Sequence, residues 1–135
     1  MILNKTILIL EDNLLVLSKF LEKLYLLEGD QPYELSVIIL TNSHQVEDYI
    51  NTNPKADFDI VLLDRDCKLG KSFHVLNIEK FGPEKVISIS SVPEYNEDAK
   101  SRGAQKVILK DLSNIDGFTS NVIEALKELI RKLPD

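Results

Sequence analysis

The chain has 135 residues, 44% of them hydrophobic and 28% charged, with five Gly and five Pro; this is the balance of one folded domain, not of a disordered or fibrous chain. Its net charge of −6 leaves no excess of Lys and Arg to displace counterions from phosphate backbones, which argues against direct nucleic-acid binding. Apolar runs of about four residues fall far short of the roughly twenty that cross a bilayer.

The N-terminal MILNKTILILEDN has no small-residue cleavage site and reads as a strand rather than a signal peptide. Its apolar part, Thr6 to Leu10, predicts the first strand. Asn13 is a good N-cap for a first helix with a stripe of Leu14, Leu17, Leu21, Leu24 and Leu27, Phe20 beside it, ending near Gly29. Ser36 to Leu40 predicts a second strand, and Ser43 starts a helix that runs to about Asn53 and is ended by Pro54. A third strand at Asp59 to Leu63 precedes a helix from about Ser72 to Lys80 that closes on Gly82-Pro83. Lys85 to Ser90 predicts the fourth strand. The fourth helix, about Glu94 to Arg102, has only Tyr95 and Ala99 as apolar residues and should be loosely held. Lys106 to Leu109 completes the strands, and Asp116 to Leu133 predicts a last helix with Phe118, Val122, Ile123, Leu126, Leu129 and Ile130 on one face.

Continuous rather than alternating apolarity suits strands covered on both faces. Five of them alternating with five helices predict a doubly wound α/β domain. In such sheets ligands sit at the carboxyl ends of the strands. Those ends carry Glu11-Asp12, Thr41-Asn42, Asp64, Ser90-Ser91 and Lys110-Asp111. Three carboxylates on one rim repel one another unless a positive charge lies among them, and a divalent cation such as Mg2+ suits oxygen ligands and phosphate. A carboxylate beside such a metal can serve as a nucleophile towards phosphorus. Lys110 then supplies charge to phosphate oxygens and Ser90 a hydrogen bond.

From ILILEDN through IVLLD and VISISS to GAQKVILK, these residues resemble the receiver domain of bacterial two-component response regulators, with the fold of the chemotaxis regulator. The resemblance covers the whole chain and rests on the order of the motifs. It implies one receiver domain over 1–135 without an output domain, with a flavodoxin-like sheet in strand order 2-1-3-4-5. It also implies a phosphoacceptor at Asp64, metal binding by Asp12 and Asp64, by Glu11 through water, and by the backbone carbonyl of Asp66. Ser90 is implied as the hydroxyl that follows the phosphoryl group, and Lys110 as the lysine that pairs with it. A histidine kinase or phosphotransfer protein would donate the phosphoryl group in the cytoplasm, and a downstream protein would read the result. The faces of the fourth helix, fifth strand and fifth helix are where such domains commonly dock or form homodimers.

The departures are specific. DRDCKLG lacks the family's proline and reaches its glycine early, Val107 stands where an aromatic residue is usual, and Asp111 replaces a cis-proline. A cis bond before Asp111 would cost roughly 3 kcal/mol, so a trans peptide or a rearranged loop is expected. These departures motivate an alternative reading, a receiver-like interaction module that phosphate does not switch. A third reading takes the Asp-x-Asp of LLDRDCKLG as that of a haloacid-dehalogenase phosphatase, but the motif lies at mid-chain and leaves Glu11-Asp12 unexplained. External enzymatic turnover is therefore not expected. Carboxylates beside Cys67 argue against a reactive thiolate, His44 and His74 read as surface or helix residues, and Lys100, Arg102 and Lys106 as a solvated basic face rather than a binding patch.

Overall fold

The computed structural model describes residues 3–30, 33–66 and 73–133. Its strands are β1 (Leu3–Leu10), β2 (Tyr33–Leu40), β3 (Ile60–Asp64), β4 (Val86–Ser90) and β5 (Lys106–Leu109). All pair in parallel, in the order β2-β1-β3-β4-β5. The order reverses between β1 and β3, which places the carboxyl ends of these two strands at the topological switch point.

Helix α1 (Leu14–Asp30) and the long α5 (Ile115–Lys132) cover one face of the sheet. Along β1, Ile7 and Ile9 point into this layer while Leu8 and Leu10 point into the other; Ile60 and Leu62 of β3 divide from Val61 and Leu63 in the same way. That period-two alternation accounts for strands apolar at every position, because both faces are covered. In α1 the buried stripe is Val16, Leu17, Phe20, Leu24 and Leu27, whereas Leu14 and Leu21 of the predicted stripe are 69% and 41% exposed. Phe20 sets the helix rotation by meeting Phe118 of α5 edge to face at 6.2 Å.

The opposite face is built from shorter pieces. Helix α2 (Ser43–Gln45) continues as a π-helical segment, Val46–Asn51, so the helix expected from Ser43 to about Asn53 is present in widened form. The helix expected from about Ser72 to Lys80 is instead a 3-10 turn, Phe73–Val75, followed by the short α3 (Ile78–Phe81). Asn77 divides them, because its side chain accepts the Lys80 amide at 3.1 Å and so starts a new helix. Ser72, Cys67 and the shortened loop lie outside the described residues. Helix α4 (Pro93–Ser101) begins on a proline, which suits a first helical position. It ends as Gly103, at φ 93°, turns the chain back towards β5.

Candidate functional site

The rim begins where strand geometry stops. Beyond Leu10, Glu11 is buried, and its Oε2 accepts the amides of Asp12 at 3.0 Å and Asn13 at 3.1 Å. Asn13 then caps α1, its Oδ1 accepting from Leu15 at 3.0 Å and Val16 at 3.1 Å. The turn after β1 thus locks the Glu11 carboxylate in place and leaves Asp12 half-buried beside it. Asp64 closes β3 and is also buried; its Oδ1 accepts the Asp66 amide at 3.0 Å. Oxygens of Glu11, Asp12 and Asp64 lie within 4.8 Å of one another.

Lys110, just past β5, brings the charge that this cluster needs. Its Nζ lies 3.2 Å from each Glu11 oxygen and 3.1 Å from Asp64 Oδ2. One ammonium does not balance two buried carboxylates. Burial first, and then the hydrogen bond and charge of Glu11, push the Asp64 carboxyl up to about 9 from 3.8, against the pull of Lys110. For Lys110 burial opposes the charge, but Glu11 and then Asp64 outweigh it and hold its pKa above the ordinary lysine value. Without further positive charge Asp64 is therefore protonated at neutral pH. The all-oxygen donor set of Glu11, Asp12 and Asp64 and its surplus of negative charge fit a hard divalent cation.

Ser90 ends β4, but its hydroxyl is already engaged. It donates to Asp66 Oδ1 at 2.7 Å and accepts the Val92 amide at 2.9 Å, while Asp66 Oδ2 takes the Ser91 amide at 2.8 Å. Burial alone would raise the Asp66 pKa, yet these bonds, that of Ser90 foremost, hold it below the ordinary value. The Asp66 side chain thus tethers the β4–α4 connection, a role beyond the backbone carbonyl expected of it. Asp111, in the place of the family's proline, caps the 3-10 turn Leu112–Asn114 by accepting the Ser113 amide at 3.0 Å. The Lys110–Asp111 peptide is trans, as are all described bonds.

Two residues were not read from the sequence as part of this neighbourhood. Arg65 is buried next to the proposed nucleophile and reaches Asp98, His74 and the carbonyl of Tyr95. His74, expected as a surface or helix residue, lies in the 3-10 turn Phe73–Val75, half-buried, and packs edge to face on Tyr95 at 4.5 Å. Strand alternation is the signal that would have found Arg65, since it carries the Val61, Leu63 face one step further. Arg102, read as part of a solvated basic face, donates to both oxygens of the exposed Glu79 at 3.0 Å.

No protein-family model matches the sequence, and a search of curated proteins finds no relative. Solved structures do resemble it. The phosphorylated cyanobacterial phytochrome response regulator RcpA aligns with a TM-score of 0.72 at 18% identity, over 97% of each chain. The Mn(2+)-bound response regulator Rcp1 aligns with a TM-score of 0.70 at 15% identity, over 97% of this chain and 99% of that one. A receiver domain from Rhodospirillum rubrum aligns with a TM-score of 0.67 at 21% identity, over 96% of both. At these identities the likeness shows the fold: the chain has the architecture of a response-regulator receiver domain. No helix among the described residues is long and apolar enough to cross a membrane.

Proposed function

We propose that the chain is a phosphoacceptor signalling domain of a cytoplasmic two-component relay, taking a phosphoryl group on Asp64 and changing the surface it offers to a protein partner. The observation that carries this reading is the buried group of Glu11, Asp64 and Lys110 at the switch point of a receiver-type sheet. The resemblance to RcpA and Rcp1, which are phosphorylated and Mn(2+)-bound respectively, supports it.

In this reading Asp12, Asp64 and the Asp66 carbonyl hold Mg2+, with Glu11 acting through water. The cation supplies positive charge that favours ionised Asp64 and offsets the charge of a phosphoryl group. A carboxylate oxygen of Asp64 bonds to phosphorus as the bond from phosphorus to the donor, a phosphohistidine of a kinase or phosphotransfer protein, breaks. Lys110 stays within reach of the Asp64 oxygens and pairs with the transferred group. Hydrolysis of the acyl phosphate by water resets the domain, so its catalysis is confined to its own modification.

Intact mass after incubation with Mg2+ and a small phosphodonor tests this. The expected result is the gain of one phosphoryl group, lost on chelation and in Asp64→Asn; an unmodified mass, or labelling that persists in Asp64→Asn, rejects it. A second reading, an interaction module not switched by phosphate, draws on the engaged Ser90 hydroxyl and on Val107, which is too small to act as an aromatic lever. Partner affinity that is the same with and without a phosphate mimic would favour that module.

A further inference from the structure

Helix α4 has little apolar anchorage. Ala99 is its buried residue, and Tyr95 is 38% exposed. Polar contacts hold it instead, and two sets of them come from residues that adjoin the site. Asn96 Nδ2 donates to the carbonyls of Ser90 at 3.2 Å and Ile108 at 3.4 Å. Arg65, bonded through its backbone to Asp64, donates from Nη1 to the Tyr95 carbonyl at 2.9 Å and pairs through Nη2 with Asp98 at 2.8 Å. Its Nε donates to His74 Nδ1 at 3.0 Å, which fixes the guanidinium from the other side, and the Tyr95 ring lies 5.8 Å from its centre. With a relative exposure of 4%, Arg65 is too well enclosed to leave these partners without repacking.

The receiver resemblance implies that Ser90 follows a phosphoryl group on Asp64, and where the proposed phosphoacceptor function holds, this contact has a consequence. To turn, Ser90 must give up its bonds to Asp66 and Val92, and Val92 is the N-cap of α4. The first turn of α4 then has to shift, and Arg65 holds that turn by the Tyr95 carbonyl and the next one by Asp98. We infer that Arg65 is a positioning residue that latches α4 in the unphosphorylated arrangement, so that phosphorylation of Asp64 is read out at α4 through release of the Arg65 bonds to Tyr95 and Asp98. The coupling runs along α4 itself and needs no aromatic side chain in β5, where Val107 stands.

Because coupling is reciprocal, a latch that resists the occupied state must also weaken whatever produces it. Titration with beryllofluoride and Mg2+, followed by amide spectra, tests this on the full chain. Arg65→Met keeps a long apolar stem and removes the bonds; it is expected to bind the mimic about fivefold more tightly or better, with α4 amides already displaced towards their occupied positions before titration. Asp98→Asn, which changes an exposed partner, should move both in the same direction by less. In a Ser90→Ala background the effect of Arg65→Met on affinity should fall below about twofold, since no hydroxyl then pulls on α4. General loosening of the fold would weaken binding rather than tighten it. Unchanged affinity and an unchanged α4 response in Arg65→Met, with amides around Asp64 responding normally, overturn the latch; should Arg65→Met not fold, the same result in Asp98→Asn does so. A wild-type chain whose Asp64 surroundings ignore the mimic rejects the phosphoacceptor reading itself, and the latch with it.

Discussion

Lys110 Nζ lies 3.1 Å from Asp64 Oδ2, a contact made across the sheet between two buried groups, and the same ammonium serves Glu11 at 3.2 Å. Its loss leaves the buried Glu11–Asp64 pair, which still carries negative charge, without a counter-charge in a region water does not reach. Lys110→Met should therefore cost about 3–5 kcal/mol, the penalty of breaking a buried pair from one side. Chemical denaturation at neutral pH measures it, and a cost under about 1 kcal/mol would mean that the ammonium is not the cluster's principal support.

The unbalanced charge makes Asp64 a source of pH-dependent instability. Its pKa is about 9 folded against 3.8 for the ordinary group, so between those values the folded chain binds the extra proton and stability falls as pH rises. Asp64→Asn removes that burden. The variant and wild type should be about equally stable in acid, and the variant should gain progressively as pH rises from about 4 towards 9. Denaturation curves across this range read the difference directly. Parallel curves without divergence would place Asp64 ionised in the folded state.

Divalent metal should narrow the same gap. A cation among Glu11, Asp12 and Asp64 binds the folded chain and favours ionised Asp64, so saturating Mg2+ should raise the melting temperature of wild type more at pH 8 than at pH 5. Asp12→Asn, which removes one of the three carboxylates, should weaken this stabilisation. Differential scanning calorimetry with Mg2+ and with chelator is the measurement; equal shifts at both pH values would argue against a site built on Asp64.

What could be read from the sequence follows from how far each signal reaches. Continuous runs such as IVLLD marked the strands because a sheet covered on both faces demands apolar residues at every step, and Asn13 marked α1 because capping acts over a few residues. The sheet-end rule brought Glu11, Asp64 and Lys110 to one rim, where the structure joins them. The Arg65–Asp98 pair, the Asp66–Ser90 bond and the exposure of Leu14 and Leu21 depend on which helix packs where. Periodicity within a segment does not encode that.

Asp66, expected to act mainly through its backbone carbonyl at the metal site, also supports the β4–α4 connection with its side chain. Asp66→Ala removes acceptors from the Ser90 hydroxyl and the Ser91 amide, and should cost about 1–2 kcal/mol. Since these bonds hold its folded pKa below 3.8, the contribution is present above that pH and fades as pH falls through the folded value. Denaturation of wild type and variant at pH 7 and in mild acid should show the difference shrinking.

A π-helical segment leaves its closing carbonyls without helical partners, and at Val46–Asn51 the Lys80 ammonium takes up the carbonyls of Ile50 at 2.7 Å, Asn51 at 3.2 Å and Asn53 at 2.5 Å. A cation at a helix C-terminus also meets the negative end of its dipole. Lys80→Met keeps an unbranched stem but removes the donor and the charge that lies 4.9 Å over the Phe81 ring, and should cost about 1–2 kcal/mol with faster amide exchange confined to residues 46–53 and 78–81. Lys80→Arg, which keeps the charge, should recover much of the protection; if both variants exchange like wild type, the carbonyls are adequately solvated without Lys80 and the widened turn stands on its apolar contacts, Val46 and Ile50, alone.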